Sequence, residues 1–162
     1  ETGGGLLKAK DWLQEGPFLV HNVDILSDVD LSELMAHHQK ENNLATLCVR
    51  KRRTSRYLTF HEKTEQLMGW KNIKTGEERP ARPHRPEDVK ERAFSGIYVL
   101  TPAIFDFMPV LPGAKFSIID TLLESAKTEK IQAFAHDDSD WVDVGRPEAI
   151  PVAKALVAGW KA

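Results

Sequence analysis

Residues 17–28 read PFLVHNVDILSD, and how this stretch is parsed decides what kind of sheet the chain builds. Pro17, Phe18, Leu19 and Val20 follow the Gly16-Pro17 break and have the apolar pattern of a buried strand over 18–23. His21, Asn22 and Asp24 then carry polar groups to the end of that strand, with Asp28 and Asp30 close behind. On local pattern Asp24 has two readings. It caps the loop that follows its strand, or it is a ligand held at the strand's carboxyl end.

Outward from this strand the periodicities alternate. Leu6 to Leu13 has helical spacing and would place Gly3 to Gly5 at a helix N-terminus. Asp30 to His38 reads as a helix with an acidic first turn, and Ala45 to Arg50 as a short buried strand. Arg56–Phe60 and Gln66–Trp70 form a hairpin pattern around the polar turn 61–65, and 72–90 reads as a polar, proline-containing surface excursion. Ala93 to Leu100 returns to strand, and Thr101-Pro102 and Ser117 to Asp120 are helix starts. Lys130–Ala135 and Asp140–Val144 are strands joined by a tight acidic turn. A last helix follows Pro147, with Pro151 expected to weaken its beginning. Strands alternating with helices predict an α/β fold with a mostly parallel or mixed sheet covered by helices.

Bulk properties narrow the function. A chain of 162 residues, 41% hydrophobic and 28% charged, has the length and composition of one soluble domain. A net charge of −2 gives no electrostatic reason to expect nucleic acid or an anionic membrane surface. The basic run Arg50, Lys51, Arg52, Arg53 and Arg56 reads first as an exposed strand end or hairpin, with a phosphate-related role as the second reading. A single cysteine, Cys48, offers no intramolecular disulfide and reads as a small core residue. With no leader pattern and no apolar run of membrane-spanning length, a cytoplasmic location is the default. The opening Glu1-Thr2-Gly3-Gly4-Gly5, with no element ahead of it, reads as the interior of a longer protein or a tag remnant.

Two carboxylates share one grammar: Asp24 ends the strand FLVHNVD, and Asp143 ends WVD before Gly145. Ligands of open α/β sheets sit beyond the carboxyl ends of strands, so the two could converge there and hold Mg²⁺ with water and phosphate oxygens. The competing reading is that each aspartate caps its own turn. Asp24, Asp28 and Asp30 do not have calcium-loop spacing, His37 and His38 cannot share a helix face, and one cysteine excludes a thiolate zinc cluster. No G-x-S-x-G, Walker A or G-x-G-x-x-G motif occurs.

Taken in order, ETGGGLLKA, FLVHNVDILSDVDL, AFSGIYVL and WVDVGRPEA resemble the sugar-1-phosphate nucleotidyltransferases, in particular the N-acetylmuramate-phosphate uridylyltransferase and mannose-1-phosphate guanylyltransferase branches. The resemblance implies a Rossmann-like, three-layer nucleotide-diphospho-sugar transferase fold, with helices on both faces of the sheet. It also implies that 1–162 is one partial nucleotidyltransferase domain, the C-terminal two-thirds of such an enzyme. By the same resemblance Thr2, Gly3 and Gly4 form the loop that holds the nucleobase, and Asn22 lies beside the substrate at the strand end. Asp24 and Asp143 are the catalytic Mg²⁺ ligands, Ser95 and Gly96 line the sugar pocket, and Trp141 belongs to the W-x-D-x-G segment. The implied reaction transfers a nucleotidyl group from an NTP to a sugar 1-phosphate, with Mg²⁺ as cofactor, and leaves room for a homo-oligomer.

The chain departs from the family pattern in three places. The glycine-rich loop with a basic residue that grips the triphosphate is absent, Val23 stands where N-G-D has glycine, and E-K-P has no clear counterpart. By itself the chain is therefore expected to be inactive. The alternatives are a non-catalytic binding or regulatory module of the same fold, and a metal-independent interaction domain in which both aspartates only cap.

Overall fold

A computed structural model of the chain describes residues 1–109 and 115–160. Its strands are β1 (Phe18–His21), β2 (Ile25–Ser27), β3 (Ala45–Arg50), β4 (Arg56–His61), β5 (Leu67–Asn72), β6 (Glu77–Pro80), β7 (Val89–Leu100), β8 (Ile131–Ala135) and β9 (Trp141–Asp143). Its helices are α1 (Thr2–Lys8), α2 (Leu31–Glu41), α3 (Ile118–Ser125) and α4 (Ile150–Gly159), with short 3₁₀ turns between elements.

The twelve-residue β7 organises the sheet. Along one edge it pairs with β3, which in turn pairs with β8. Along the other edge its first residues take β4, followed by β5 and β6, and its last four take β1. The sheet is mixed: β3–β8 is parallel, β7 runs against each strand beside it, and β4, β5 and β6 pair as an antiparallel meander. β2 and β9 form a separate two-stranded ladder.

Side-chain alternation divides the core between the two faces of the sheet. Leu47, Val49, Tyr98 and Leu100 join a large cluster with Phe105, Ile118, Leu122 and Leu123, which places α3 on that face. Cys48, Ile97 and Val99 point the other way and pack with Leu34 of α2. Helices therefore cover both faces, as expected of this fold class. Cys48 is fully buried, and burial pushes its thiol up to about 12, which fits a core residue.

Four expectations from the sequence need correction. Gly3 to Gly5 lie inside α1 rather than in a loop before it, because Gly3 packs against Phe116 so closely that a Cβ would overlap the ring. The stretch 72–90 contains β6, held by its backbone ladder to β5, a strand with no apolar face to betray it. Thr101 does not cap a helix by its side chain: its hydroxyl donates to the Asn43 carbonyl, and a 3₁₀ turn follows. Pro151 sits in the first turn of α4, where a missing N–H is harmless, so it starts the helix instead of weakening it.

Candidate functional site

The site grows from the end of β1. Asn22 donates its backbone N–H to the Gly96 carbonyl at 2.9 Å, and Gly96 adopts a φ of +75°. That conformation and the space are both restrictive, since a Cβ on Gly96 would lie 2.9 Å from Asn22 Nδ2 and 3.2 Å from Ile25 Cγ1. The glycine of SGIYV thus lets the Asn22 side chain lie flat against β7.

Two residues on, the β2–β9 ladder does the rest. Ile25 pairs with Asp143, and the Val144 N–H donates to the Asp24 carbonyl at 2.7 Å, so the two aspartates lie next to each other across the strands. Asp24 Oδ2 and Asp143 Oδ1 each lie 3.1 Å from the point where a Cβ of Gly145 would stand. Their separation is therefore at most twice that distance, and small rotations of either exposed side chain would bring both oxygens to the ~4.2 Å that one Mg²⁺ with bonds of ~2.1 Å can span. Asp143 Oδ1 accepts the Gly145 N–H at 2.9 Å, while the Asp24 carboxylate has no hydrogen-bond donor among the described residues. Both carboxylates are exposed. Carboxylate oxygens with no nitrogen or sulfur donor are a hard ligand set of the kind that suits Mg²⁺, which completes its shell with water and substrate oxygens. Among the described residues there is no cluster of three or more His, Cys, Asp or Glu that would hold a metal without such help.

Behind the carboxylates stands Trp141. Its indole N–H donates to the Ser95 carbonyl at 2.9 Å, tying β9 to β7 just before Gly96. Ser95 is 1% exposed, and its hydroxyl is 2.7 Å from His136 Nε2. The Ser95 hydroxyl thus points into the protein. Burial, then the neighbouring Arg50 charge, lowers His136 to about 4, which keeps the imidazole neutral near pH 7.

The guanidinium of Arg52 lies over the Trp141 ring at 4.5 Å and that of Arg50 at 5.9 Å. Arg52 also donates to the Phe94 carbonyl at 3.1 Å. Burial lowers the Arg52 guanidinium from its usual value, and the charge of Asp143 works the other way. The sequence singled out this basic run without connecting it to Trp141. A separation of 89 residues leaves no local signal for such a stack.

The structure brings Asn22, Asp24, Ser95, Gly96, Trp141 and Asp143 together. It does not bring Thr2, Gly3 and Gly4 to them. Those residues form the first turn of α1, which packs beside α3 through Gly3 and Phe116. Asp30 caps α2, accepting the backbone N–H groups of Ser32 and Glu33, and Asp28 accepts the Asp140 N–H at 2.7 Å.

Comparison with known proteins agrees with this architecture. The chain is 30% identical over 150 residues to a mannose-1-phosphate guanyltransferase of Yarrowia lipolytica, covering 91% of the chain and 38% of that protein. A mannose-1-phosphate guanyltransferase of Schizosaccharomyces pombe is 28% identical over 153 residues, with the same coverage of 91% and 38%. The chain thus spans well under half the length of these relatives. A crystal structure assigned as a glucose-1-phosphate thymidylyltransferase from Bacillus anthracis shares the fold, with a TM-score of 0.75 at 15% identity, covering 99% of this chain and 62% of that one. HddC from Yersinia pseudotuberculosis follows at a TM-score of 0.65 and 18% identity, covering 97% and 61%. A family model described as nucleotidyl transferase matches residues 1–158, and the chain belongs to that family.

Proposed function

We propose that the protein containing this chain transfers a nucleotidyl group from an NTP to a sugar 1-phosphate, releasing pyrophosphate, with Mg²⁺ held between Asp24 and Asp143. The observation that carries the reading is the convergence of these two carboxylates around Gly145, from the turn before β2 and the end of β9, more than a hundred residues apart. In the reaction a phosphate oxygen of the sugar phosphate forms a bond to the α-phosphorus. The bond from that phosphorus to the bridging oxygen breaks as it forms, and pyrophosphate leaves with the electron pair. A divalent cation bound there would neutralise phosphate oxygens and hold them in line.

The chain's own residues supply placement. Asp24 and Asp143 set the anchoring point, and Gly145 leaves room above it because it has no side chain. The Gly96–Asn22 contact fixes the floor. Direct transfer fits the nucleophiles available: Cys48 is a buried thiol of raised pKa, and the Ser95 hydroxyl is occupied by His136. The names of the curated relatives make GTP with mannose 1-phosphate the first pair to try. A cytoplasmic setting is part of the proposal, in keeping with one reduced, buried cysteine. Among the described residues no helix is long and apolar enough to cross a membrane.

The test is pyrophosphate release by the full-length protein over a panel of NTPs and sugar 1-phosphates. Asp24→Ala and Asp143→Ala are each expected to lower turnover at least about 100-fold, the loss of several kcal/mol of charge stabilisation. Both positions are exposed, so unfolding free energies should stay within about 0.5 kcal/mol of the parent. Turnover by either variant near the parent rate would rule the assignment out.

A further inference from the structure

The basic run at the end of β3 is left over from the site as described, and its geometry has no purely structural account. Arg52 and Arg50 bring two positive charges to one indole, Trp141, two residues before Asp143. One guanidinium on the ring would be enough to hold the tryptophan, because cation–π attraction is satisfied by a single cation. The second adds repulsion, and the Arg50 charge works to lower the Arg52 guanidinium.

Among the described residues neither arginine makes an ion pair, although eight pairs form elsewhere. Arg52 Nε and Arg50 Nη1 are buried without a hydrogen-bond partner. The one donor accounted for is Arg52 Nη2, on the Phe94 carbonyl, which fixes the plane of the fork. Asp143 is the carboxylate close enough to matter to Arg52, and its Oδ1 already accepts the Gly145 N–H. What remains is a rigidly held guanidinium whose Nη1 group makes no hydrogen bond among the described residues, backed by a second cation and with Asp143 close by. A planar fork of that kind matches a phosphate group, whose oxygens accept two parallel N–H bonds.

We propose that Arg52, backed by Arg50 and seated on Trp141, binds a phosphate group of a substrate at this site, either that of the sugar phosphate or that of the leaving pyrophosphate. The inference rests on the transferase reading for the identity of the phosphate and on the chain's own geometry for its existence. Trp141 is then a positioning residue: it holds the fork at a fixed height above β9, next to the carboxylates that anchor the opposite side of the same substrate.

The experiment measures binding directly. The full-length protein, without metal, is titrated calorimetrically with mannose 1-phosphate and separately with pyrophosphate, using the parent, Arg52→Gln, Arg52→Lys and Arg50→Gln. Arg52→Gln is expected to weaken one of the two ligands at least about 10-fold, the loss of a charged hydrogen-bonding group, and Arg52→Lys to restore part of it. Weakening of mannose 1-phosphate assigns the arginine to the acceptor side, and weakening of pyrophosphate to the leaving-group side. If Arg52→Gln does not fold, Arg50→Gln decides, with at least about a threefold loss expected from removing the supporting charge. Affinities within twofold of the parent for both ligands in the folded Arg52 variant, or in the Arg50 variant where that one decides, overturn the proposal. The two readings fail separately. Phosphate binding that depends on Arg52, with no pyrophosphate release from any NTP, would sink the transferase reading alone. Turnover with unchanged KM for both substrates in Arg52→Gln would sink the phosphate site alone.

Discussion

Gly96 carries two constraints on one Cα: a φ of +75° and an Asn22 side chain 2.9 Å from where a Cβ would be. Left-handed backbone costs a non-glycine residue about 1–2 kcal/mol before any overlap is counted. Gly96→Ala should therefore lower the unfolding free energy by at least about 1 kcal/mol, measured by urea titration, and displace Asn22. By contrast, four aspartates of one local composition do three different things. Asp30 caps a helix, Asp28 ties down the turn before β9, and Asp24 and Asp143 face each other across a ladder. The sequence pattern already set Asp24 and Asp143 apart from the rest, but Asp24 is not on its strand: β1 ends at His21, and Asp24 lies in the turn before β2, placed by the β2–β9 ladder. The pattern could not give Ser95 its partner, since the hydroxyl of a strand residue faces whichever side the pleat dictates.

At the scale of elements, α2 depends on its first turn. The Asp30 carboxylate accepts the N–H groups of Ser32 and Glu33 at 2.8 and 2.9 Å. Asp30→Ala should lose about 1 kcal/mol of stability, read from the same urea titration. Elements with a clear apolar period, such as β3, α2 and the β4–β5 hairpin, were legible from residue spacing. β6 was not, because an edge strand of Glu77, Glu78, Arg79 and Pro80 is specified by backbone pairing and by contacts such as Arg79 with Asp120 and Trp70. α1 was misplaced at its start for the opposite reason. Glycine's poor helix propensity is overridden there by the close packing of Gly3 on Phe116.

At the scale of the whole molecule, two buried histidines set the response to acid. Burial, and then a neighbouring positive charge in each case, lowers His38 and His136 to about 4. His38 sits between the hydroxyls of Thr46 and Thr101, linking α2 to β3 and to the end of β7. The unfolded chain takes up these protons near pH 6.5, while the folded chain does so only near pH 4. Stability is therefore complete above the unfolded value and falls steadily as the pH drops from about 6.5 to 4. Each histidine contributes a loss on the order of 2–3 kcal/mol. Urea midpoints recorded across this range should show the slope, and His38→Gln should flatten roughly half of it.

β7 also dictates the order in which the chain can assemble. It is the shared partner of β1, β3 and β4, all of which precede it in sequence. During synthesis those three strands leave the ribosome with no partner for the edges that β7 will occupy, and they wait until residue 100 has emerged. Such long-range pairing makes for slow folding, in the millisecond-to-second range. In that interval the apolar strands Phe18–His21 and Ala45–Arg50 are open templates for pairing with other nascent chains. The strand that unifies the finished sheet thus defines a window of vulnerability while it is still being made.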